Sequence, residues 1–396
     1  MDYQIDNPFF GLEKIVLKKQ DFYVYEVDQW DECNFVKIRV SLQFTQDHEI
    51  MYFKDGVILR KEQVNETKKI QLLNNLEQIK YLSWQFQNGL KKKKNGQSIA
   101  FWDGKALNKT GGYYQDDLKQ GLWKELIKNY WKKAQIFETG EYQNDLKIGK
   151  WNYIYENNKI DGGLYRGKGQ KKGKWTELDD RFWDYSQVIY KGEYNIKGIK
   201  VGLWDILYCN INQKKLKLIG GGLYDSSQGI KIGKWIELDK GFYLEKQITY
   251  VGEYNMKGIK FGRWDILYCN FWEKNYQLIA GGSYDNAKGN KIGKWIELDK
   301  EFYFEKQVTF NGEYNINGMK VGRWNTVAWD QQIGGGSYDI SSEIKIGQWV
   351  ELDEGFRDWN QVTYSGEYNI KGNKVGTWVG FNIVFNKKGK EIIYDT

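Results

Sequence analysis

The side chains that could carry out acid–base chemistry recur along the chain instead of forming one unique cluster. A Glu-Leu-Asp segment follows a tryptophan four times, so a glutamate and an aspartate repeatedly stand two residues apart. Paired carboxylates can act as general acid and base, but an active site occurs once in a chain, whereas these pairs are copied. We therefore expect solvated carboxylates at strand ends. They are Glu177, Asp179, Glu237, Asp239, Glu297, Asp299, Glu351 and Asp353.

Other reactive residues are too few for the common catalytic and metal-binding sets. His48 is the only histidine, so a Ser-His-Asp triad or a histidine-based zinc site lacks partners. The glycine runs at 220–222 and 334–336 lack the strand–loop–helix context and the Lys-Ser/Thr ending of a phosphate loop. We predict that the protein is not an enzyme, uses no cofactor or metal, and takes no small-molecule substrate.

Composition narrows the protein class. Aromatic residues make up 17% of the 396 residues and there is one proline, which argues against disorder. The net charge of +7 is compatible with an acidic partner, such as an acidic membrane surface, without specifying one. Because 52 acidic residues are interspersed with 59 basic ones, no nucleic-acid partner is expected.

Sequence features also bear on location. The first ten residues lack the apolar core of a signal peptide, and no run of 18 apolar residues could span a membrane. The cysteine count is odd and low, which is typical of a reducing compartment. We expect a cytoplasmic protein that is not secreted and has no transmembrane segment. The cysteines are Cys33, Cys209 and Cys269.

A short sequence repeat organises most of the chain. The pattern G-x-Y, a short gap, then K-x-G-x-W recurs, and from Trp175 onward two versions of it alternate in a unit of about 60 residues. Residues 192–210 and 252–270 differ at only three of nineteen positions. The repeated tryptophans are Trp123, Trp151, Trp175, Trp204, Trp235, Trp264, Trp295, Trp324, Trp349 and Trp378.

Each copy of the pattern predicts a β-hairpin. Strand residues alternate between faces, so the glycine and the ring of each strand share one face. We expect Tyr254 opposite Gly262 and Gly252 opposite Trp264, because a glycine across the strand gives a large ring room and the ring covers bare backbone. Repetition predicts a ladder of rings built from Gly192, Tyr194, Gly202, Trp204, Gly222, Tyr224, Gly233, Trp235, Gly252, Tyr254, Gly262, Trp264, Gly282, Tyr284, Gly293, Trp295, Gly312, Tyr314, Gly322 and Trp324.

The same register predicts opposite charges facing each other on the other side of the sheet. Such cross-strand pairs contribute about 0.2–1 kcal/mol at best. The expected pairs are Glu253 with Arg263, Glu313 with Arg323, and Glu141 with Lys150.

The ends of the chain depart from the repeat. Residues 1–82 predict a small α+β head with a strand at 35–44, a hairpin turn at Asp55–Gly56 and a helix near 67–82, capped at Asn65 or Thr67. Residues 83–380 form the array, with ten intact copies and one degenerate copy in which Phe86 and Ser98 replace Gly and Trp. Residues 381–396 predict capping strands.

The pattern G-x-Y-x-[ND]-G-x-K-x-G-x-W resembles the MORN repeat, in the variant form that is also seen in bacterial antitoxin-like proteins. The resemblance covers residues 83–380 and implies an elongated, single-layer antiparallel β-meander of tandem hairpins. It implies a non-catalytic scaffold in cytoskeletal or cortical assemblies, and some members are linked to membranes or phosphoinositides. The copies here are longer than the usual MORN unit and alternate in type.

Three functions follow as expectations. The first is a scaffold for protein–protein interaction, whose partner the sequence does not name. The second is a peripheral membrane or phosphoinositide binder, and the third is a carbohydrate-binding module, which needs exposed rings. Specific function is expected where the copies differ: in the turns, in the long loops after Glu-Leu-Asp and in the head. Contact with acidic lipid would involve the turn lysines Lys197, Lys200, Lys257, Lys260 and Lys371.

Overall fold

A computed structural model describes most of the chain, which divides into two compact units. The described residues are 16–27, 35–46, 48–63, 73, 75–88, 93–211, 215–270, 272–273 and 275–395. The amino-terminal unit comprises Met1–Gln170 with Asp180–Asp184. The carboxy-terminal unit comprises Lys171–Asp179 with Tyr185–Thr396.

The amino-terminal unit begins with a four-stranded antiparallel sheet in sequence order. Val40 and Leu42, at alternate positions of the strand predicted at 35–44, are fully buried on one face of this sheet. Asp55 and Gly56 have φ of 50° and 80°, which a tight two-residue hairpin turn requires. The strands are β1 (Val16–Val27), β2 (Phe35–Thr45), β3 (Glu49–Lys54) and β4 (Val57–Gln63).

Of the helix predicted near 67–82, the structure describes residues 73 and 75–82, and the helical ones are Leu76–Tyr81 (α1). Asn75 caps α1, because its side chain accepts hydrogen bonds from the backbone N–H groups of Glu77 and Gln78. This cap satisfies donors that the first turn leaves open, and so fixes the start of the helix. The predicted caps at 65 and 67 lie outside the described residues.

The degenerate copy of the repeat forms the first hairpin after the helix. Phe86 pairs with Ser98, as the predicted pairing of the Gly and Trp positions requires, whereas Asn88 pairs with Lys94 instead of Gly96. Lys94 places its ammonium 3.5 Å from the centroid of the Phe86 ring. The strands that follow α1 in this unit are β5 (Leu82–Asn88), β6 (Lys94–Trp102), β7 (Lys105–Ala106), β8 (Gly111–Gln115), β9 (Leu118–Leu126), β10 (Ile136–Gln143), β11 (Leu146–Tyr155) and β12 (Asn158–Arg166).

The carboxy-terminal unit is an antiparallel meander in which each strand pairs with the next along the chain. The predicted fold class, a mostly β meander of tandem hairpins, is confirmed. The strands are β13 (Gln170–Leu178), β14 (Gln187–Tyr194), β15 (Lys200–Cys209), β16 (Leu216–Tyr224), β17 (Lys231–Leu238), β18 (Gln247–Tyr254), β19 (Lys260–Cys269), β20 (Gln277–Tyr284), β21 (Lys291–Leu298), β22 (Val308–Tyr314), β23 (Lys320–Ala328), β24 (Gln331–Tyr338), β25 (Lys345–Leu352), β26 (Val362–Tyr368), β27 (Lys374–Asn382) and β28 (Lys387–Tyr394).

The predicted register within each hairpin is wrong beyond a bulge. Val251 pairs with Asp265 as expected, but Tyr254 then pairs with Lys260. Gly262 has φ of 63°, a left-handed conformation that favours glycine and shifts the pairing by two residues. The tyrosine–glycine pairs form between consecutive hairpins, where Tyr254 lies opposite Gly233.

The bulge also separates the predicted charge pairs, which are wrong for the same reason. Glu253 lies opposite Lys234 of the preceding hairpin, and Arg263 lies opposite Ser283 of the next one and donates to Asp265 at 2.6 Å. The other two predicted pairs are likewise absent from these ladders: Glu313 lies opposite Lys294, Arg323 opposite Ser337, Glu141 opposite Leu122 and Lys150 opposite Leu164.

The loop after each Glu-Leu-Asp segment folds back onto the sheet. Phe242 belongs to a buried cluster with Val188 and Ile206 of earlier strands, and Phe302 packs in the same way on Ile248 and Ile266. These loops therefore form part of the core of the repeat, so burial of their phenylalanines limits their freedom to adapt to a partner.

Candidate interaction edge

The rings of the repeat motif form one continuous ladder in the carboxy-terminal unit. Sixteen alternating tryptophan and tyrosine rings run from Trp175 to Tyr394, with neighbouring centroids 5.0 to 6.4 Å apart and near-perpendicular planes. Each edge-to-face contact contributes about 0.5–1.5 kcal/mol beyond burial. All ten predicted motif rings lie in this ladder.

The predicted motif glycines have two separate roles. One set lies directly beneath tryptophan rings, where a Cβ would come closer than 3.0 Å to the ring: Gly192, Gly222, Gly252, Gly282 and Gly312. The other set has positive φ at the bulges: Gly202, Gly233, Gly262, Gly293 and Gly322. The motif glycines are therefore explained by the structure of the sheet: one set makes room for the tryptophan rings and the other forms the bulges.

A lysine covers each tryptophan of the ladder. The ammonium groups of Lys200 and Lys260 lie 3.9 and 3.7 Å from the ring centroids of Trp204 and Trp264. Such cation–π contacts contribute about 0.5–2 kcal/mol, depending on solvation. The tryptophan rings of the ladder are therefore buried, and an ammonium group covers a face of each ring.

The Glu-Leu-Asp carboxylates are held by this network, so the expectation of solvated strand ends is wrong. Glu237 binds Lys231 through one oxygen and Lys260, at 2.8 Å, through the other, and it accepts from the Tyr254 hydroxyl at 2.8 Å. Burial raises the pKa of Glu237, but the hydrogen bonds and charges of the two lysines outweigh it and hold the pKa below 4.5.

The network repeats with every copy. Equivalent glutamates bind two lysines and one tyrosine, which are Glu177 with Lys171, Lys200 and Tyr194; Glu297 with Lys291, Lys320 and Tyr314; and Glu351 with Lys345, Lys374 and Tyr368. The aspartate two residues on is also used, since Asp239 accepts from the Tyr250 hydroxyl at 2.9 Å. Lys200 and Lys260, predicted to contact acidic lipid, are therefore occupied inside the sheet.

The remaining predicted lysines lie on exposed turns at one edge of the sheet. In each turn an asparagine side chain accepts from two backbone N–H groups; Asn255, for example, binds Lys257 N at 2.9 Å and Ile259 N at 3.1 Å. Asn195, Asn315 and Asn369 do the same. These hydrogen bonds fix the turns that carry Lys197, Lys257 and Lys371.

The same turns place an apolar side chain at each apex. We call these four residues the tip row: Ile196, Met256, Ile316 and Ile370, which are 75%, 76%, 85% and 88% exposed. Neighbouring strands lie about 4.8 Å apart, and four strands lie between one apex and the next, so consecutive apices are about 19 Å apart along the edge. The sequence signal for these apices is an apolar residue after the same asparagine in all four copies.

The edge around the tip row is electrically balanced. The seven turns along it, at 195–199, 225–230, 255–259, 285–290, 315–319, 339–344 and 369–373, contain four lysines and four carboxylates. Three of the carboxylates accept backbone hydrogen bonds inside their own turns, which holds the pKa of Asp285 below its usual value. The charged residues are Lys197, Lys257, Lys288, Lys371, Asp225, Asp285, Asp339 and Glu343.

Comparisons with known proteins assign no family. No family model and no curated protein matches the sequence. The fold search finds a crystal structure of a protein from Lactobacillus plantarum, at 10% identity, covering 79% of this chain and 82% of that one, with a TM-score of 0.19. Among the helices that the structure describes, none has the length and hydropathy needed to cross a membrane.

Proposed function

We propose that the protein is a non-catalytic repeat scaffold that binds a protein partner along the tip row. The observation that carries this is the recurrence of a large apolar side chain, 75–88% exposed, at one fixed position of four turns. Single exposed apolar residues are ordinary, but these four are aligned on one edge. Their exposure means that they contribute little to the core. A cytoplasmic site at the cortex or cytoskeleton belongs to the same proposal.

Rigid turns support this function. Each apex is held by an asparagine that is already hydrogen-bonded to its own turn, so little conformational entropy is lost when a partner packs on it. The balanced charge of the edge favours a protein surface over an acidic bilayer, because attraction to acidic lipid grows with the excess of basic residues.

A peripheral membrane protein is the second candidate. Three of the four apolar apices are followed by a lysine, at Lys197, Lys257 and Lys371, which would suit shallow insertion beside acidic headgroups. Carbohydrate binding by the ladder has no such support, because its tryptophan rings are buried beneath lysines.

The test compares two fourfold variants. The tip variant carries serine at Ile196, Met256, Ile316 and Ile370, and the control carries serine at the exposed strand residues Leu203, Leu218, Leu278 and Ile393. Quantitative affinity purification from native cells should recover a protein with wild type and control that the tip variant fails to recover. Equal recovery by both variants would refute the proposal. Flotation with acidic liposomes that only the tip variant loses would assign the membrane function instead.

A further inference from the structure

The second and third copies of the repeat contain the same cleft at different sizes. Here a copy means the unit of about 60 residues, which contains two hairpin motifs. Residues 187–246 form the first such copy, residues 247–306 the second and residues 307–360 the third. Each cleft lies over the ring ladder, between a Glu-Leu-Asp loop and the next one. The second-copy cleft has a volume of about 260 Å³ and the third-copy cleft about 690 Å³. The larger value falls in the range of small-molecule sites, about 300–1,000 Å³.

One sequence difference removes a hydroxyl from the wall of the third-copy cleft. In the first two copies, Tyr190 and Tyr250 donate to Oδ2 of Asp179 and Asp239 at 2.8 and 2.9 Å. The third copy has Phe310 at this position, and it lines the cleft together with Asp299. In the described part of the chain, no other donor binds Asp299 Oδ2; Lys306 and the Glu301 N–H both bind Oδ1, at 3.0 and 2.9 Å.

A second difference adds a hydroxyl on the neighbouring strand. Tyr250 lies directly opposite Ile266, whereas Phe310 lies directly opposite Thr326. Thr326 is 5% exposed and lines the cleft. Relative to the second copy, the third therefore has a half-buried aromatic ring without a hydroxyl, a carboxylate oxygen without its tyrosine donor, and a new hydroxyl on the neighbouring strand.

Charges in the third-copy cleft are largely compensated. Lys306, whose side chain is 5% exposed, binds both Asp299 and Glu301. Lys320 and Lys345 each bind other carboxylates, at Glu297 and Glu351. A charged ligand would have to compete with these pairs, whereas a neutral molecule with hydroxyl groups would not.

We infer that the third-copy cleft binds a neutral, hydroxylated molecule of monosaccharide size. One ligand hydroxyl donates to Asp299 Oδ2, in the place that the tyrosine hydroxyl takes in the other copies. Thr326 supplies a second hydrogen bond, and the apolar C–H face of the ligand packs on Phe310. Binding at this cleft is independent of the tip row and of any protein partner.

Internal copies supply matched variants for the test. The double variant F310Y/T326I gives the third-copy cleft the residues that the second copy already tolerates, so it is expected to fold. The reciprocal variant Y250F/I266T gives the second-copy cleft the residues of the third. The probes are glucose, mannose and N-acetylglucosamine, with glucosamine as the charged analogue, followed by saturation-transfer NMR on the full chain.

At least one neutral sugar should receive saturation from wild type and bind at least tenfold more weakly to F310Y/T326I. Wild-type affinity should survive in Y250F/I266T, with added binding at the second-copy cleft. Three results would overturn the inference: no transfer to any of the three neutral sugars, equal transfer to wild type and F310Y/T326I, or tighter binding of glucosamine than of the neutral sugars.

Discussion

Adding one methyl group at Gly252 should destabilise the sheet strongly. A Cβ there would lie closer than 3.0 Å to the Trp264 ring. The ring cannot move away freely, because the rings of Tyr254 and Tyr284 pack on two sides of it, with centroid-to-centroid distances of 5.3 and 6.2 Å. In addition, the Lys260 ammonium lies 3.7 Å from the centroid of the Trp264 ring. Overpacking costs about 1–3 kcal/mol, and loss of two edge contacts would add about 1–3 kcal/mol. G252A should therefore lower the free energy of unfolding by about 2–6 kcal/mol.

Urea denaturation followed by circular dichroism measures this loss. An unchanged m-value would show that the variant still unfolds in a two-state transition that exposes the same surface. The control is G241A: Gly241 lies in a loop at ordinary φ, where a Cβ meets only the ends of the Asp239 and Lys246 side chains, so a change within about 0.5 kcal/mol is expected. W264A removes every ring atom that a Cβ at Gly252 would meet, so G252A should cost less in that background. If G252A is neutral, or its cost is the same with and without W264A, the proposed steric fit of ring to glycine is incorrect.

Three further perturbations test the network and the burial of the rings. Because the folded pKa of Glu237 lies below its ordinary 4.5, its stabilisation is present above pH 4.5 and is lost as the pH falls through the folded value; E237Q should show a smaller acid-induced drop in unfolding free energy. K260M leaves that glutamate one ammonium short and should cost about 1–3 kcal/mol in urea denaturation, whereas K257M on the exposed turn should stay within about 0.5 kcal/mol. Trp272 and Trp359 are 76% and 65% exposed, so changing both to phenylalanine should remove much of the iodide-quenchable fluorescence; an unchanged quenchable fraction would mean that ladder rings are open to solvent.

Spacing alone predicts the hairpins because the glycine–ring alternation has the period of a strand. It does not predict where the pairing shifts, since G-x-W reads equally well as regular strand or as a bulge. The shift depends on Gly262 adopting a left-handed conformation, and it moves the tyrosine–glycine pair from one hairpin to the boundary between two. Every predicted charge pair that crossed the bulge failed with it.

The role of the Glu-Leu-Asp segments was hidden for a related reason. Glu237 stands six residues after Lys231 and 23 before Lys260, so local sequence shows no cluster around it. Strand pairing across two hairpins brings the three groups together. The exposed apices were visible as apolar residues after Asn195 and its equivalents, but only the structure shows that the asparagine turns its side chain inward and leaves the next residue outside.

Glu237 binds lysines from two successive hairpins, and this arrangement limits how the array can change in length. Deleting residues 247–306 would join Lys246 to Gln307, which follows Lys306 in the natural chain, so every glutamate would regain an equivalent pair of lysines. Removing a single hairpin would leave one glutamate with a missing lysine. Complete copies are therefore the units by which the array can lengthen or shorten: each one added or lost changes the distance along the sheet edge between the outermost apices by about 19 Å, four strand spacings.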